Sequence, residues 1–341
     1  MARIIHTLHG DIVCPAFGPD ATRGVIKGLA PHDLKKLGGQ FLLSNTYHLL
    51  SYPGNKFIKN MGGLHKFMQW EQPILTDSGG YQVFSLINNA KSLKGKVDED
   101  GATFCHPYTG EKFKLTPEKA IKIQFDFSSD IMIVLDDCRH YQDQKNLLAS
   151  VHRTIAWAGR CKKQFAIEAK KRGFKPLLFA VIQGGFDYEL RKFCTEELLK
   201  IGFDGFGFGG WAVNSDQTLP YDLFSYVRSL VPDKYPLYAM GAGTPEQICE
   251  LAKRGYDLFD CAIPSRNGRH GLCYTTVGNI KITNAQYKDD PSPLDPNLKS
   301  PASDYPKFFL HHLFKIKDPL AGNLLTMHNL RYFNHILENK S

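Results

Sequence analysis

Leu258-Phe259-Asp260-Cys261-Ala262-Ile263-Pro264-Ser265-Arg266-Asn267-Gly268-Arg269 sets an apolar run against one carboxylate, then a polar, cationic stretch. The run has the make-up of a buried strand, and burial would hold Asp260 still at the strand's carboxyl end. In the loop expected beyond it, Arg266 and Arg269 offer planar forks suited to phosphate or a base edge. Taken alone, the aspartate reads more simply as a turn former or a helix cap. The same unit recurs along the chain, and the recurrence reverses that preference.

Phe41-Leu42-Leu43 runs into Ser44-Asn45-Thr46-Tyr47-His48, and Pro73-Ile74-Leu75 into Thr76-Asp77-Ser78-Gly79-Gly80-Tyr81-Gln82. Ile131 to Leu135 runs into Asp136-Asp137-Cys138, and Leu177 to Ile182 into Gln183-Gly184-Gly185. Phe206-Gly207-Phe208 leads to Gly209-Gly210-Trp211, and Leu237 to Met240 leads to Gly241-Ala242-Gly243. With the 258 stretch, these strands alternate with helical segments and predict parallel βα units. An eighth strand comes from Leu272 to Thr275 or from the amino-terminal part. Apolar strands whose polar residue always comes last fit an α/β (β/α)8 TIM barrel, whose active site gathers at the carboxyl ends of the strands. A doubly wound open sheet, the runner-up, would gather ligands only at a switch point.

Residues 1–15 read as a hairpin turning at His9-Gly10-Asp11 rather than as an export signal. A hairpin insertion spans 88–114, turning at Tyr108-Thr109-Gly110, and Thr116-Pro117-Glu118 starts the helix after it. Arg153 to Lys175 reads as a basic amphipathic helix on the barrel's solvated outside. Beyond 285 the pattern changes to a proline-rich segment and two helices, Phe308–Lys315 and Gly322–Glu338. The expected organisation is a catalytic barrel over 1–285 and a C-terminal subdomain over 286–341.

The 341 residues carry a formal charge of +8, with 43% hydrophobic and 22% charged residues, which suits a globular chain with a large core. The basic excess permits a polyanionic partner without requiring one. No apolar run is long enough to span a bilayer, and the eight cysteines contain no CxxC pair. Reduced thiols in a cytoplasmic protein are expected.

Asp77 and Asp260, arriving at one barrel mouth from different strands, supply what glycosidic chemistry needs. One carboxylate attacks the anomeric carbon and the other handles protons. Asp136, Gln183 and the Gly209-Gly210 pair suit a flat heterocycle, since a carboxylate matches adjacent ring N–H and amino donors and glycine lets backbone amides approach. Each residue singly has an ordinary structural explanation; together at successive strand ends they favour a catalytic site.

Ser44-Asn45-Thr46-Tyr47-His48-Leu49, Thr76 to Leu86, Gly202-Phe203-Asp204-Gly205, Phe259-Asp260-Cys261 with Pro264 to Arg269, and Thr326-Met327-His328-Asn329-Leu330-Arg331-Tyr332 resemble the tRNA-guanine transglycosylases over nearly the whole chain. The resemblance implies exchange of guanine at the tRNA wobble position for a 7-deazaguanine. It implies Asp260 as nucleophile and Asp77 as general acid/base, and a base pocket of Asp77, Ser78, Gly79, Gly80, Tyr81, Asp136, Cys138, Gln183, Gly209, Gly210 and Met240, with Tyr81 and Met240 as the sides of a stacking slot. RNA contacts would fall on Gly241, Ala242, Gly243, Thr244, Pro245, Glu246 and Gln247, and on Ser265, Arg266, Asn267, Gly268 and Arg269. The implied partners are a tRNA with a GU-containing anticodon and a second copy of the chain. The rival readings are a non-catalytic tRNA-binding partner subunit, a DNA-base-modifying relative and an ordinary glycoside hydrolase.

Two departures stand out. The family holds zinc with a Cys-x-Cys-x-x-Cys run and a histidine; here His328 remains, while Asn297 to Tyr305 contains no cysteine. No bound metal is expected, with prolines and the aromatics Tyr305, Phe308 and Phe309 packing instead. The second lies after Gly210, where Trp211-Ala212-Val213-Asn214-Ser215 carries Ser215 in place of an acidic residue. Cys138 and Val213 favour 7-aminomethyl-7-deazaguanine as the incoming base, and the missing acid leaves queuine open.

Overall fold

The computed structural model describes residues 2–85, 87, 95–106, 109–139, 143–210, 214 and 218–338. In chain order the strands are β1 (Ile4–Thr7), β2 (Gly10–Val13), β3 (Ala16–Pro19), β4 (Leu42–Asn45), β5 (Ile74–Asp77), β6 (Gly95–Asp98), β7 (Gly101–Cys105) and β8 (Lys112–Leu115). They continue with β9 (Ile131–Ile133), β10 (Leu177–Ile182), β11 (Gly205–Phe208), β12 (Leu237–Ala239), β13 (Leu258–Cys261), β14 (Leu272–Cys273) and β15 (Ile280–Lys281).

Eight of these form one parallel sheet in the order β3-β13-β12-β11-β10-β9-β5-β4. A parallel bridge between Asp20 and Leu43 joins the two outer members, so the sheet curls into a (β/α)8 barrel in which each strand lies beside its chain neighbours. The eighth strand is therefore the amino-terminal Ala16–Pro19. Leu272-Cys273 instead pairs antiparallel with Ile280-Lys281 outside the barrel. Strand interiors such as Leu178 to Ile182 and Leu258-Phe259 are buried, as expected where helices cover the outer face.

The first hairpin turns at Leu8-His9, one residue earlier than expected, and closes the barrel floor. Asp130, just ahead of β9, is fully buried there. Its Oδ1 accepts from the backbone N–H of His9 at 3.0 Å and lies 2.8 Å from His9 Nδ1. Its Oδ2 accepts from Ile74 N at 2.8 Å and sits 3.0 Å from His65 Nε2. The His9 and His65 rings stack at 3.6 Å. Among the described residues this is the one His/Cys/Asp/Glu group compact enough to hold a metal. It lies at the opposite end of the barrel from the carboxyl ends of the strands, and its carboxylate is already engaged as a clasp between hairpin and floor.

The insertion is a three-stranded antiparallel sheet, β6-β7-β8, rather than the single hairpin expected over 88–114. The extra turn at Glu99-Asp100 carries the difference: Trp157 Nε1 and Arg160 Nη1 both donate to the Glu99 carbonyl, tying the sheet to helix Gln144–Arg172. Residues 88–94, 107 and Tyr108 lie outside the described residues. The terminal helices are Lys307–Lys315 and Pro319–Glu338. Leu324 and Leu325 pack with Leu294 and Leu310 in a small second core, while Leu330, Phe333 and Leu337 of the same last helix join the barrel's main core.

Replacing Asp130 with alanine strands the His9 and Ile74 amides and removes the anion beside two imidazoles. Urea unfolding is expected to show a loss of about 3 kcal/mol, in the range for removing one member of a buried charged network. A loss below about 1 kcal/mol would reduce the clasp to a surface-like pair.

Candidate active site

At the carboxyl ends of the barrel strands lies a cavity of about 240 Å³. Asp77, Tyr81, Asp136, Cys138, Gly209, Gly210, Met240, Gly241 and Asp260 all line it, so the sequence-predicted residues from five strand ends converge, while Gln183 stands behind the lining. Ser78 and Gly80 are buried behind it.

Asp260 ends the apolar run of β13 and is 8% exposed. Its Oδ1 accepts from Gly241 N at 2.8 Å and from the hydroxyl of Tyr238 in a short contact. Burial pushes its pKa up to about 7; the Tyr238 and Gly241 bonds pull the other way, and the Asp20 and Asp77 charges add to the rise. Asp77 is likewise raised by burial, against hydrogen bonds from Gly79, Ser78 and Gln82. Asn45 Nδ2 donates to its Oδ2 at 2.8 Å. Two carboxylates with displaced proton affinities thus face one cavity, the arrangement that acid-base chemistry near neutral pH requires.

The opposite wall comes from β9, β10 and β11. Gln183 Nε2 donates to Asp136 Oδ2 at 2.6 Å, and burial lifts Asp136 to about 7, with Asp77 and Asp137 adding to the rise. Asp137, its neighbour, turns away into ion pairs with Arg139 and Arg153. Gly209 has no room for a side chain: a Cβ there would stand 2.2 Å from Val181 Cγ1 and 2.7 Å from Gln183 Nε2. Gly210 adopts φ of +76°, which favours glycine. Asp136 and the Gly209-Gly210 backbone thus line the cavity with Gln183 held against Asp136, and Tyr81 and Met240 belong to the same lining.

Four contributors escaped the sequence reading. Tyr238 was a hydroxyl inside an otherwise apolar strand, and that contrast was its signal. Asn45 stood within a quoted motif without a role. Arg191 is fully buried; its Nη1 donates to the carbonyls of Ile182 and Gly209 at 2.6 and 2.8 Å, and its Nε donates to Gly185 at 3.0 Å. It thereby ties together the loops after β10 and β11 that frame the base wall. Asp20 also lines the cavity, from the strand the sequence reading had located least well.

The residues expected to touch RNA divide. Ser265 to Arg269 are not a loop but part of helix Ile263–Arg269. That helix packs on Pro319–Glu338 with Ser265 and Gly268 buried; a Cβ on Gly268 would come within 2.6 Å of Thr326 N. Arg266 is exposed and Arg269 half-buried, while Asn267 Nδ2 donates to the Tyr274 hydroxyl at 2.6 Å. Thr244 and Gln247 form a reciprocal cap on helix Pro245–Lys253; Ala242, Gly243 and Pro245 are buried, Gly241 faces the cavity and Glu246 is exposed. Trp211, Val213 and Ser215 lie outside the described residues.

The segment that would hold a family zinc does not fit one. His328 is fully buried; its Nε2 meets the Tyr274 carbonyl at 3.0 Å, which only a ring N–H can satisfy. Nδ1 then accepts from Ser300 Oγ at 2.9 Å, so both ring nitrogens are spent. Ser303 Oγ closes the turn by donating to Leu298 O. A tetrahedral zinc needs thiolate and free imidazole donors that Asn297 to Tyr305 does not offer. The filling differs from the one expected: Ser300 meets His328, Tyr305 and Phe309 stack at 5.2 Å, and Phe308 is 41% exposed.

The fold and cavity define a (β/α)8 barrel protein with the acids Asp77, Asp136 and Asp260 gathered at the carboxyl ends of its strands. The family model described as "TGT: Queuine tRNA-ribosyltransferase" matches residues 2–339. Similar proteins include the queuine tRNA-ribosyltransferases of Mannheimia succiniciproducens, 42% identical over 95% of this chain and 84% of its own, and Psychrobacter cryohalolentis, 40% identical over 98% and 87%. That of Rickettsia prowazekii is 41% identical over 98% of this chain and 90% of its own. The chain belongs to the queuine tRNA-ribosyltransferase family.

Elemental analysis of tag-free protein is expected to find substoichiometric zinc, and chelator should leave the unfolding temperature unchanged. One tightly bound zinc per chain would contradict the serine-histidine reading.

Proposed function

We propose that this chain is a tRNA-guanine transglycosylase acting in queuosine modification, with Asp260 as nucleophile and Asp77 as general acid/base. The observation that carries the proposal is the sharing of one cavity by Asp260, Asp77, Asp136 and Gly209-Gly210, with Gln183 bonded to Asp136 behind it. The substrate is a tRNA whose wobble guanine is flipped from the anticodon loop, at the few kcal/mol usual for an already unpaired base. Arg266, exposed on the helix that follows β13, suits its backbone. The assembly proposed is a homodimer. Among the described residues no helix is long and apolar enough to cross a membrane. The division into a catalytic barrel over 1–285 and a C-terminal subdomain over 286–341 belongs to the same proposal.

Asp260 attacks the anomeric carbon and forms a C–O bond as the C–N bond to guanine breaks. The electron pair leaves with the base, and Asp77, kept protonatable by burial, supplies the proton. The incoming 7-deazaguanine gives its ring proton back to Asp77 and displaces the Asp260 carboxylate from the same carbon. Two inversions return the starting configuration with no external energy source. Asp136 and the glycine backbone hold guanine and its replacement alike. The described lining holds Asp20, Asp77, Asp136 and Asp260 and no Lys, Arg or His. That charge suits the amine of either 7-aminomethyl-7-deazaguanine or queuine.

The decisive experiment is labelled-guanine exchange into tRNA with a GU-containing anticodon, competed by each base in turn. Asp260→Asn is expected to abolish the covalent RNA adduct on denaturing gels while raising thermal stability, because it removes a buried carboxyl whose pKa is elevated. An adduct surviving in that variant refutes the assignment. Because Asp260 must be ionised to attack, kcat/KM should rise with pH through about 7. Tyr238→Phe removes a donor that favours the carboxylate and should move this limb upward by about one to two pH units; a downward or absent shift would contradict the role given to Tyr238.

A further inference from the structure

Asp20 is a carboxylate at the cavity with no part in the bond-making steps above and none in the family resemblance. It follows β3, whose neighbours are β13, the strand of Asp260, and β4. Around the ring it therefore stands beside the nucleophile and away from the base wall on β9, β10 and β11. Its backbone is fixed by the bridge to Leu43, and its Oδ1 accepts from Thr22 N at 2.7 Å and from the Thr22 hydroxyl. Both bonds land on one oxygen; among the described residues Oδ2 makes none.

Such a group is costly. Its charge adds to the resistance of Asp260 to ionising, which works against the nucleophile. Asp20 is half-buried and anchored next to the attacking atom, with one oxygen facing no described donor and no cation among the described lining residues, which leaves that oxygen open to a ligand donor. With the base against Asp136 and Gln183 and its anomeric carbon over Asp260, the ribose extends toward Asp20.

We propose that Asp20 binds the ribose of the target nucleotide and accepts a hydrogen bond from its 2′-hydroxyl. This rests on the transglycosylase reading and deepens it. As the C–N bond breaks, the sugar gains positive character, and a hydrogen bond from the 2-hydroxyl to an anion strengthens in that transition state. The same hydroxyl distinguishes RNA from DNA, so Asp20 makes the site selective for ribonucleotides through kcat more than through KM.

The test uses the full chain and two anticodon stem-loops, one all-ribose and one with a single 2′-deoxy wobble nucleotide. The wild type is expected to lose about 10- to 100-fold in kcat/KM on the deoxy substrate. Asp20→Asn should lose a comparable factor on the ribose substrate and little more on the deoxy one, collapsing the ratio toward unity. Thr22→Val, which keeps the charge and the backbone bond but removes the hydroxyl bond, should shrink the ratio partway. An unchanged ratio in Asp20→Asn overturns the proposal; if that variant fails to fold, an unchanged ratio in Thr22→Val does so. Equal wild-type rates on both substrates also overturn it while leaving the transglycosylase reading intact. Absence of wild-type exchange on either substrate overturns both.

Discussion

Charge that must be buried without a counter-ion is the constraint on which this structure turns. Asp260, Asp136 and Asp77 are withdrawn from water and raised in pKa, yet neutral donors attend them: a tyrosyl hydroxyl, a glycine amide and two side-chain amides. A guanidinium would have locked each as a carboxylate and kept it from exchanging protons near neutrality. Two buried acids outside the cavity receive charged partners. Asp137 has Arg139 and Arg153, and Asp257 has Arg3. The acids that line the cavity are thus set opposite neutral donors, whereas Asp137 and Asp257 are set opposite guanidinium groups.

The barrel makes that separation possible because one strand can serve both ends. β13 is preceded at the floor by Asp257, bonded to Arg3 and to Leu237 N, and carries Asp260 at its top. The two are three residues apart and perform unrelated tasks. Rigidity reaches the mouth through the buried strand interior, and donors such as Gly241 N meet a carboxylate whose position is already determined. Preorganised dipoles of this kind need little rearrangement as charge develops, the main electrostatic advantage of an enclosed site.

Most of the barrel was legible because a continuous apolar strand followed by a polar residue is a one-dimensional signal. β5, β10 and β13 announced themselves in that way, and Asp77 and Asp260 came with them. β3 did not: Ala16-Phe17-Gly18-Pro19 is short, ends in proline and contains a glycine against the Phe41 ring. Its assignment depends on β13 and β4 as neighbours, and with it Asp20 went unseen. The arginine stretch after Asp260 misled for a related reason. A proline suggested a loop, whereas Pro264 opens a helix, where its missing N–H costs nothing. Only the packing of Gly268 against Thr326 reveals that half of this stretch faces inward.

The serine-histidine turn shows the same logic away from the mouth. A metal would satisfy several donors at once and tie the segment before the last helices to His328. Here Ser300 and Ser303 do so with hydroxyls, each able to give and accept, and the Tyr274 carbonyl selects the tautomer of the ring. Burial lowers the affinity of His328 for a second proton. A neutral imidazole suits a site whose nearest partners are hydroxyls and a carbonyl. Such a lock has no ion to lose to a chelator and no thiol to lose to oxidation. It does depend on His328 staying neutral, because protonation at Nδ1 would turn an acceptor for Ser300 into a donor and reverse the bond that holds the turn.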